Sequence, residues 1–111
     1  MGWPPQPGEL LPRADACWYE PIKFDEWIPA PRGHGREWQA VFGIGRRDRG
    51  QVWQALASTA RTAEIAEVRD RENLGVVCGT RERVTIGKRS ALVTVSWHYA
   101  DPTAAPRLAT A

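Results

Sequence analysis

The run Ser90–Tyr99, SALVTVSWHY, most constrains what this chain can fold into. Ala91, Val93, Val95, Trp97 and Tyr99 fall on one side of it, and Leu92, Thr94, Ser96 and His98 on the other. A period of two is the signature of a strand. The first set is the core face, and the second is partly exposed or lines a site. Such a strand needs neighbours for its backbone and a cover for its apolar face.

The neighbours are found in the second half of the chain. LGVVC at 74–78, Gly79 and the following RERVTI read as two short strands, or as one strand bent at a glycine bulge. Gly87-Lys88-Arg89 is a turn signal. RTAEIAEVR at 61–69 fits either a helix, through Ile65 and Val68, or a first strand. After Pro102 and Pro106 the tail Arg107–Ala111 is able to add a final short strand.

The cover comes from the first half. IKFDEWI at 22–28 suits a two-turn helix ended by Pro29. A Pro- and Gly-rich connection holding His34 follows. REWQAVF at 36–42 then sets Trp38, Val41 and Phe42 on one helical stripe, stopped by Gly43 and Gly45. Asp48 opens the best-signalled helix, because its carboxylate can accept from the amide of Gln51, three residues on, while Gln51 reaches back. That helix runs through GQVWQALASTA with Val52, Ala55, Leu56 and Thr59 on one face and Trp53 at its shoulder. The expected architecture is α+β: N-terminal short helices packed on a C-terminal, mainly antiparallel sheet of roughly three to five strands. Residues 1–14 read as an extended Pro-rich lead-in, and residues 15–111 as a single domain.

Composition narrows the function classes. At 111 residues, 42% hydrophobic and 25% charged, the chain is sized for one core. No apolar run approaches the ~20 residues of a membrane helix. The start, MGWPPQPGELLPRAD, lacks the pattern of a secretory leader, so a cytoplasmic location is expected. Cys17 and Cys78 stand far apart without a Cys–His cluster, which argues for two buried thiols rather than a zinc site or a disulfide. Six Trp point to core packing. Of the 15 basic residues only Lys23 and Lys88 are not Arg. Two basic stretches, 31–50 and 71–90, each set five basic residues against two acidic ones. If they merge on one face they form a phosphate-binding patch; otherwise they are two solvated surfaces.

Two histidines are the candidate proton carriers. His34 lies between glycines just before a helix, where backbone amides can approach an anion; the plain alternative is a surface loop. His98 stands on the polar face of the best strand beside Ser96 and Thr94. Imidazole moves protons and a guanidinium takes up phosphorane charge without titrating, so a sheet face with His, Thr and Arg suits in-line RNA cleavage. The plain alternative is a half-exposed strand histidine. Arg107 and Thr110 complete the candidate catalytic set, although a regular strand turns them to opposite sides unless a bulge intervenes. Arg36, Arg46, Arg47 and Arg49 are the candidate substrate-binding residues. Asp25-Glu26 and Asp70/Glu72 read as solvated charges, and no residue set calls for a metal or a cofactor.

The order LPRAD, IKFDEWI, PRGHGREWQAVFGIGRRD, QALASTARTAEIAEV, ALVTVSWHY and APRLATA resembles an uncharacterised family of small bacterial domains that close in Pro-Arg-Leu-Val-Thr-Ala. The resemblance runs over roughly residues 10 to 111, and Trp97 and the closing Pro106–Ala111 are its most specific pieces. Such domains occur in bacterial polymorphic toxins and beside antitoxin-like genes, and they are similar to the barnase, colicin and RelE-like ribonuclease group. The resemblance implies a toxin-type, metal-independent ribonuclease. Two positions depart from the pattern: Trp38 replaces a Lys of the second helix, with Arg36 as the substitute, and Ala109 replaces the closing Val. The alternative is a non-catalytic protein–protein interaction module: an antitoxin, an immunity-like partner or a phage-related accessory protein. The expected partners are RNA and a cognate antitoxin or immunity protein, with no membrane and no metal.

Overall fold

The alternating run folds as one of the two longest strands of an antiparallel sheet. The structure is a computed structural model and describes residues 2–21, 42 and 49–110. In chain order they form helix α1 (Arg49–Thr62) and strands β1 (Ile65–Asp70), β2 (Val76–Ile86), β3 (Arg89–Tyr99) and β4 (Arg107–Thr110). The strands lie in the order β1-β2-β3-β4, each antiparallel to its neighbour. The α+β class and an antiparallel sheet of the expected size are therefore present.

The expected position of the helices needs correction. The described helix sits mid-chain at Arg49–Thr62, and residues 2–20 hold only a 3-10 turn at Ala14–Ala16. Pro4, Pro5, Pro7 and Pro12 remove backbone donors, and Gly8 adopts φ 93, so this stretch cannot propagate a helix. The helices expected over 22–28 and 36–42 lie outside the described residues, apart from Phe42, which is buried in the core.

In α1, Val52, Leu56 and Ala60 are fully buried, with Thr59 beside them and Trp53 half-buried at the shoulder. Of the expected stripe, Val52, Leu56 and Thr59 are buried and Ala55 is half-buried, while Ala60 extends the buried side by a turn. Thr59 Oγ1 donates to the Leu56 carbonyl at 2.7 Å, which satisfies its hydroxyl inside the helix. The ambiguous segment after Arg61 resolves into β1.

β2 is one strand rather than two, and it pairs in unbroken register with β3 from Val76↔Tyr99 to Ile86↔Arg89. The bulge near Gly79 falls on β1 instead, where Ile65↔Thr80 is followed by Glu67↔Gly79 and leaves Ala66 extra. Gly87 and Lys88 close the β2–β3 hairpin. Gly87 has φ 62, and positive φ at the first of two loop positions alone is the type II′ pattern.

The core lies between α1 and one face of the sheet. Val76, Cys78, Val84, Val95, Trp97 and Tyr99 meet Val52, Leu56 and Ala60 there. An aromatic chain links Tyr19 to Trp53 at 4.6 Å and Trp53 to Trp97 at 6.2 Å. The lead-in is docked on this body. Leu11 is buried, Trp3 packs edge-on against Tyr99 at 5.5 Å, and the Ile65 amide donates to the Glu9 carbonyl at 2.8 Å.

Candidate functional site

Whatever faces away from α1 is set by the alternation of each strand. On β3 this outer face carries Leu92, Thr94, Ser96 and His98, and on β2 it carries Val77, Gly79, Arg81 and Arg83. Registers align them into rows. His98 pairs with Val77 on one side and with Arg107 on the other, and Val77 pairs with Arg69. One row across the sheet therefore reads Arg69–Val77–His98–Arg107.

Beyond β4 the chain segment Trp18–Glu20 adds one parallel bridge, Trp18↔Arg107. The Trp18 amide donates to the Pro106 carbonyl at 3.1 Å, and the Leu108 amide donates to the Trp18 carbonyl at 2.8 Å. Tyr19 turns inward onto Trp53, so its neighbours Trp18 and Glu20 turn to the outer face.

Three side chains converge at this end of the sheet. Arg107 Nη1 lies 3.6 Å from Glu20 Oε1, and Arg107 Nη2 lies 3.4 Å from His98 Nδ1. The guanidinium thus stands between a carboxylate and an imidazole. Arginine only donates, so Nδ1 accepts. His98 Nε2 lies 2.7 Å from the Leu74 carbonyl and must donate to it, which assigns the proton of the neutral ring to Nε2. Gly75 makes that approach feasible. Its φ is 93, and a Cβ there would stand 2.9 Å from His98 Nε2 and collide with the Tyr99 carbonyl.

Of the expected catalytic residues, His98 and Arg107 are brought together. Thr110 pairs with Ser96, because Leu108↔Trp97 is followed by Thr110↔Ser96 and Ala109 is the extra residue of a bulge. Arg49 opens α1 at its first position. His34, Arg36, Arg46 and Arg47 lie outside the described residues. Glu20 and Trp18 lie outside the catalytic set that the sequence suggests, because a three-residue Trp-Tyr-Glu alternation is too short to signal an edge.

The thiols take no part in this site. Both are free, and burial pushes the Cys78 thiol up to about 11 and raises that of Cys17. Among the described residues no group of three or more His, Cys, Asp or Glu could hold a metal ion, and no helix is long and apolar enough to cross a membrane. Compared with protein-family models, curated proteins and solved structures, the chain matches none of them.

Proposed function

We propose that the protein is a toxin-type domain that cleaves RNA without a metal ion. The observation that carries this reading is the Arg107 guanidinium held between the Glu20 carboxylate and the His98 imidazole. In-line transesterification needs a base at the ribose 2′-hydroxyl, a cation at the phosphorane and an acid at the departing 5′-oxygen. Glu20 takes the 2′ proton as the 2′-oxygen bonds to phosphorus. Arg107 holds the equatorial oxygens. As the bond from phosphorus to the 5′-oxygen breaks, protonated His98 gives that oxygen the proton on Nδ1, leaving a 2′,3′-cyclic phosphate. The Leu74 carbonyl holds the opposite edge of the ring, so Nδ1 is the working nitrogen and a bound phosphate takes the place of its long contact with Arg107.

Within this reading Thr110 supports the phosphate from the neighbouring row, His34 is a second proton carrier, and Arg36, Arg46, Arg47 and Arg49 grip the RNA backbone. The substrate is RNA, the setting is the bacterial cytoplasm, and a cognate antitoxin or immunity protein is the expected regulator. The alternative, a non-catalytic interaction module, draws support from one feature. Both ring nitrogens of His98 are engaged within the protein itself.

Inducible expression in a bacterium, scored by growth and total RNA integrity, separates the two readings. Wild type should arrest growth and leave cyclic-phosphate ends, also when the purified protein is assayed with a chelator. Arg107→Ala should lower cleavage by about 10²–10³-fold, the usual loss when a charge-stabilising donor is removed. Glu20→Gln should lower cleavage by about 10²–10⁴-fold, the usual contribution of a positioned general base. Full activity in Arg107→Ala would sink the assignment.

A further inference from the structure

The outer face continues well beyond the Glu20–Arg107–His98 line, and its remaining residues form a pattern of their own. From His98, β3 runs through Ser96 and Thr94 to Leu92, while β2 sets Gly79, Arg81 and Arg83 opposite the last three. At about 3.3 Å per residue the stretch from His98 to Leu92 is roughly 20 Å long. Arg81, Arg83 and Thr94 are exposed, and Leu92 is 50% exposed. Gly79 has no side chain and its β3 partner Ser96 a short one, so the face is low in the row next to His98. Trp18 stands at the β4 edge of the catalytic row with 46% of its surface exposed, an unusual state for a ring that size.

These residues differ in what they can bind. Arg81 and Arg83 supply cationic forks for phosphate oxygens. Trp18 at one end and Leu92 at the other supply apolar surfaces for base faces. A duplex offers phosphates but hides the faces of its bases, whereas a single strand offers both. The face is also of the right sign for a polyanion. Its one described acidic member away from the catalytic row is Glu67, which pairs with Arg69 at 3.2 Å.

We infer that the outer face of the sheet is a track for single-stranded RNA. It runs from Trp18, which stacks on the base beside the scissile phosphate, along Arg81 and Arg83 toward the β2–β3 hairpin. The inference rests on the ribonuclease reading and deepens it by naming the strandedness of the substrate and the residues that hold it away from the cut.

The test uses the full chain and a fluorescent ten-nucleotide RNA with 2′-O-methyl groups, which cannot be cleaved because its nucleophile is blocked. Anisotropy is measured over a salt series. Each phosphate contact in a single strand contributes about −0.7 to the slope of log affinity on log salt. The pair Arg81→Gln and Arg83→Gln together should reduce that slope by about 1.4 and weaken binding. Trp18→Ala should weaken binding about tenfold, in line with the loss of one base stack. A duplex of the same sequence should bind more weakly than the single strand.

An unchanged slope in the double variant, a preference for duplex, or no binding by wild type overturns the track. Binding as described with no cleavage of unmodified RNA overturns the ribonuclease reading and leaves the track standing. Cleavage together with an unchanged slope does the reverse. Arg81, Arg83 and Trp18 are exposed, and equal melting temperatures of the variants and wild type confirm that a lost contact is read rather than a lost fold.

Discussion

Gly75 is where backbone conformation and the candidate site meet. Its positive φ and its closeness to the Tyr99 carbonyl and His98 Nε2 leave no room for a side chain. Gly75→Ala should therefore destabilise the fold by about 3 kcal/mol or more in a urea titration. It should also turn the His98 ring from the Leu74 carbonyl, visible as a changed tautomer in imidazole nitrogen spectra. Gly87 is the internal control: it too has positive φ, yet a Cβ there meets nothing, so Gly87→Ala should cost only about 1 kcal/mol. Equal losses at the two positions contradict the crowding argument. A second residue-scale effect concerns pH. The Cys78 thiol is raised to about 11 by burial, and burial likewise raises the Tyr99 phenol. Both groups are neutral in the fold and ionise more readily when unfolded. The stabilisation from the thiol is complete below its unfolded value and is lost as pH rises toward 11, and that from the phenol persists to higher pH. Stability should fall on the alkaline side by about 2–3 kcal/mol for the thiol alone. Cys78→Ala should flatten that limb in melts recorded between about pH 8 and pH 11.

At the level of elements, β2 and β3 form the centre of the sheet and half of the buried core, and two buried polar atoms among them, Thr80 Oγ1 and Trp97 Nε1, have no hydrogen-bond partner among the described residues. Thr80 is fully buried on β2. An unpaired buried hydroxyl costs about 1–3 kcal/mol, so Thr80→Val, which keeps the shape, should raise stability by about 1 kcal/mol. A lower melting temperature in that variant means that the hydroxyl is satisfied in solution. The elements that were legible in the sequence are those with long, regular periodicity. The alternation of Ser90–Tyr99 foretold which side of β3 is buried, and the stripe Val52–Leu56–Thr59 foretold the buried side of α1. What escaped was set by partners rather than by period. RTAEIAEVR satisfies both periods, and only pairing with β2 decides for strand. Gly79 signalled a bulge, but the extra residue sits on its neighbour, since a glycine leaves space that the partner strand fills. The candidate site divides in the same way. His98 and Arg107 stood out by residue type, whereas Glu20 and Trp18 became members only through a single bridge between distant parts of the chain.

Across the whole molecule the lead-in determines how well the site is held. The segment after β3 turns back at Asp101–Pro106 to bring β4 alongside, and this turn is fastened from outside the sheet. Arg13 Nε donates to the Ala104 carbonyl at 2.7 Å and Arg13 Nη2 to the Pro102 carbonyl at 2.6 Å. Its guanidinium also lies 5.8 Å from the centre of the Tyr99 ring. Tyr99 in turn donates its hydroxyl to the Pro12 carbonyl at 2.6 Å. Arg13 takes left-handed φ 54 to reach both carbonyls, which the two charge-assisted bonds offset. β4 has only four residues and three registered partners, so its position leans on the bridge to Trp18 and on this fastened turn. Arg13, by holding the turn that leads into β4, therefore contributes to the place of Arg107 beside His98. Arg13→Ala should cost about 1–2 kcal/mol, lowering the melting temperature by roughly 4–8 °C. More specifically, the Leu108 amide, bonded to the Trp18 carbonyl, should lose hydrogen-exchange protection while the Val95 amide on β3 keeps it. Uniform loss at both amides makes Arg13 a contributor to global stability alone. Selective loss at Leu108, with RNA cleavage falling in step, makes the lead-in the part of the fold that holds the catalytic edge in place.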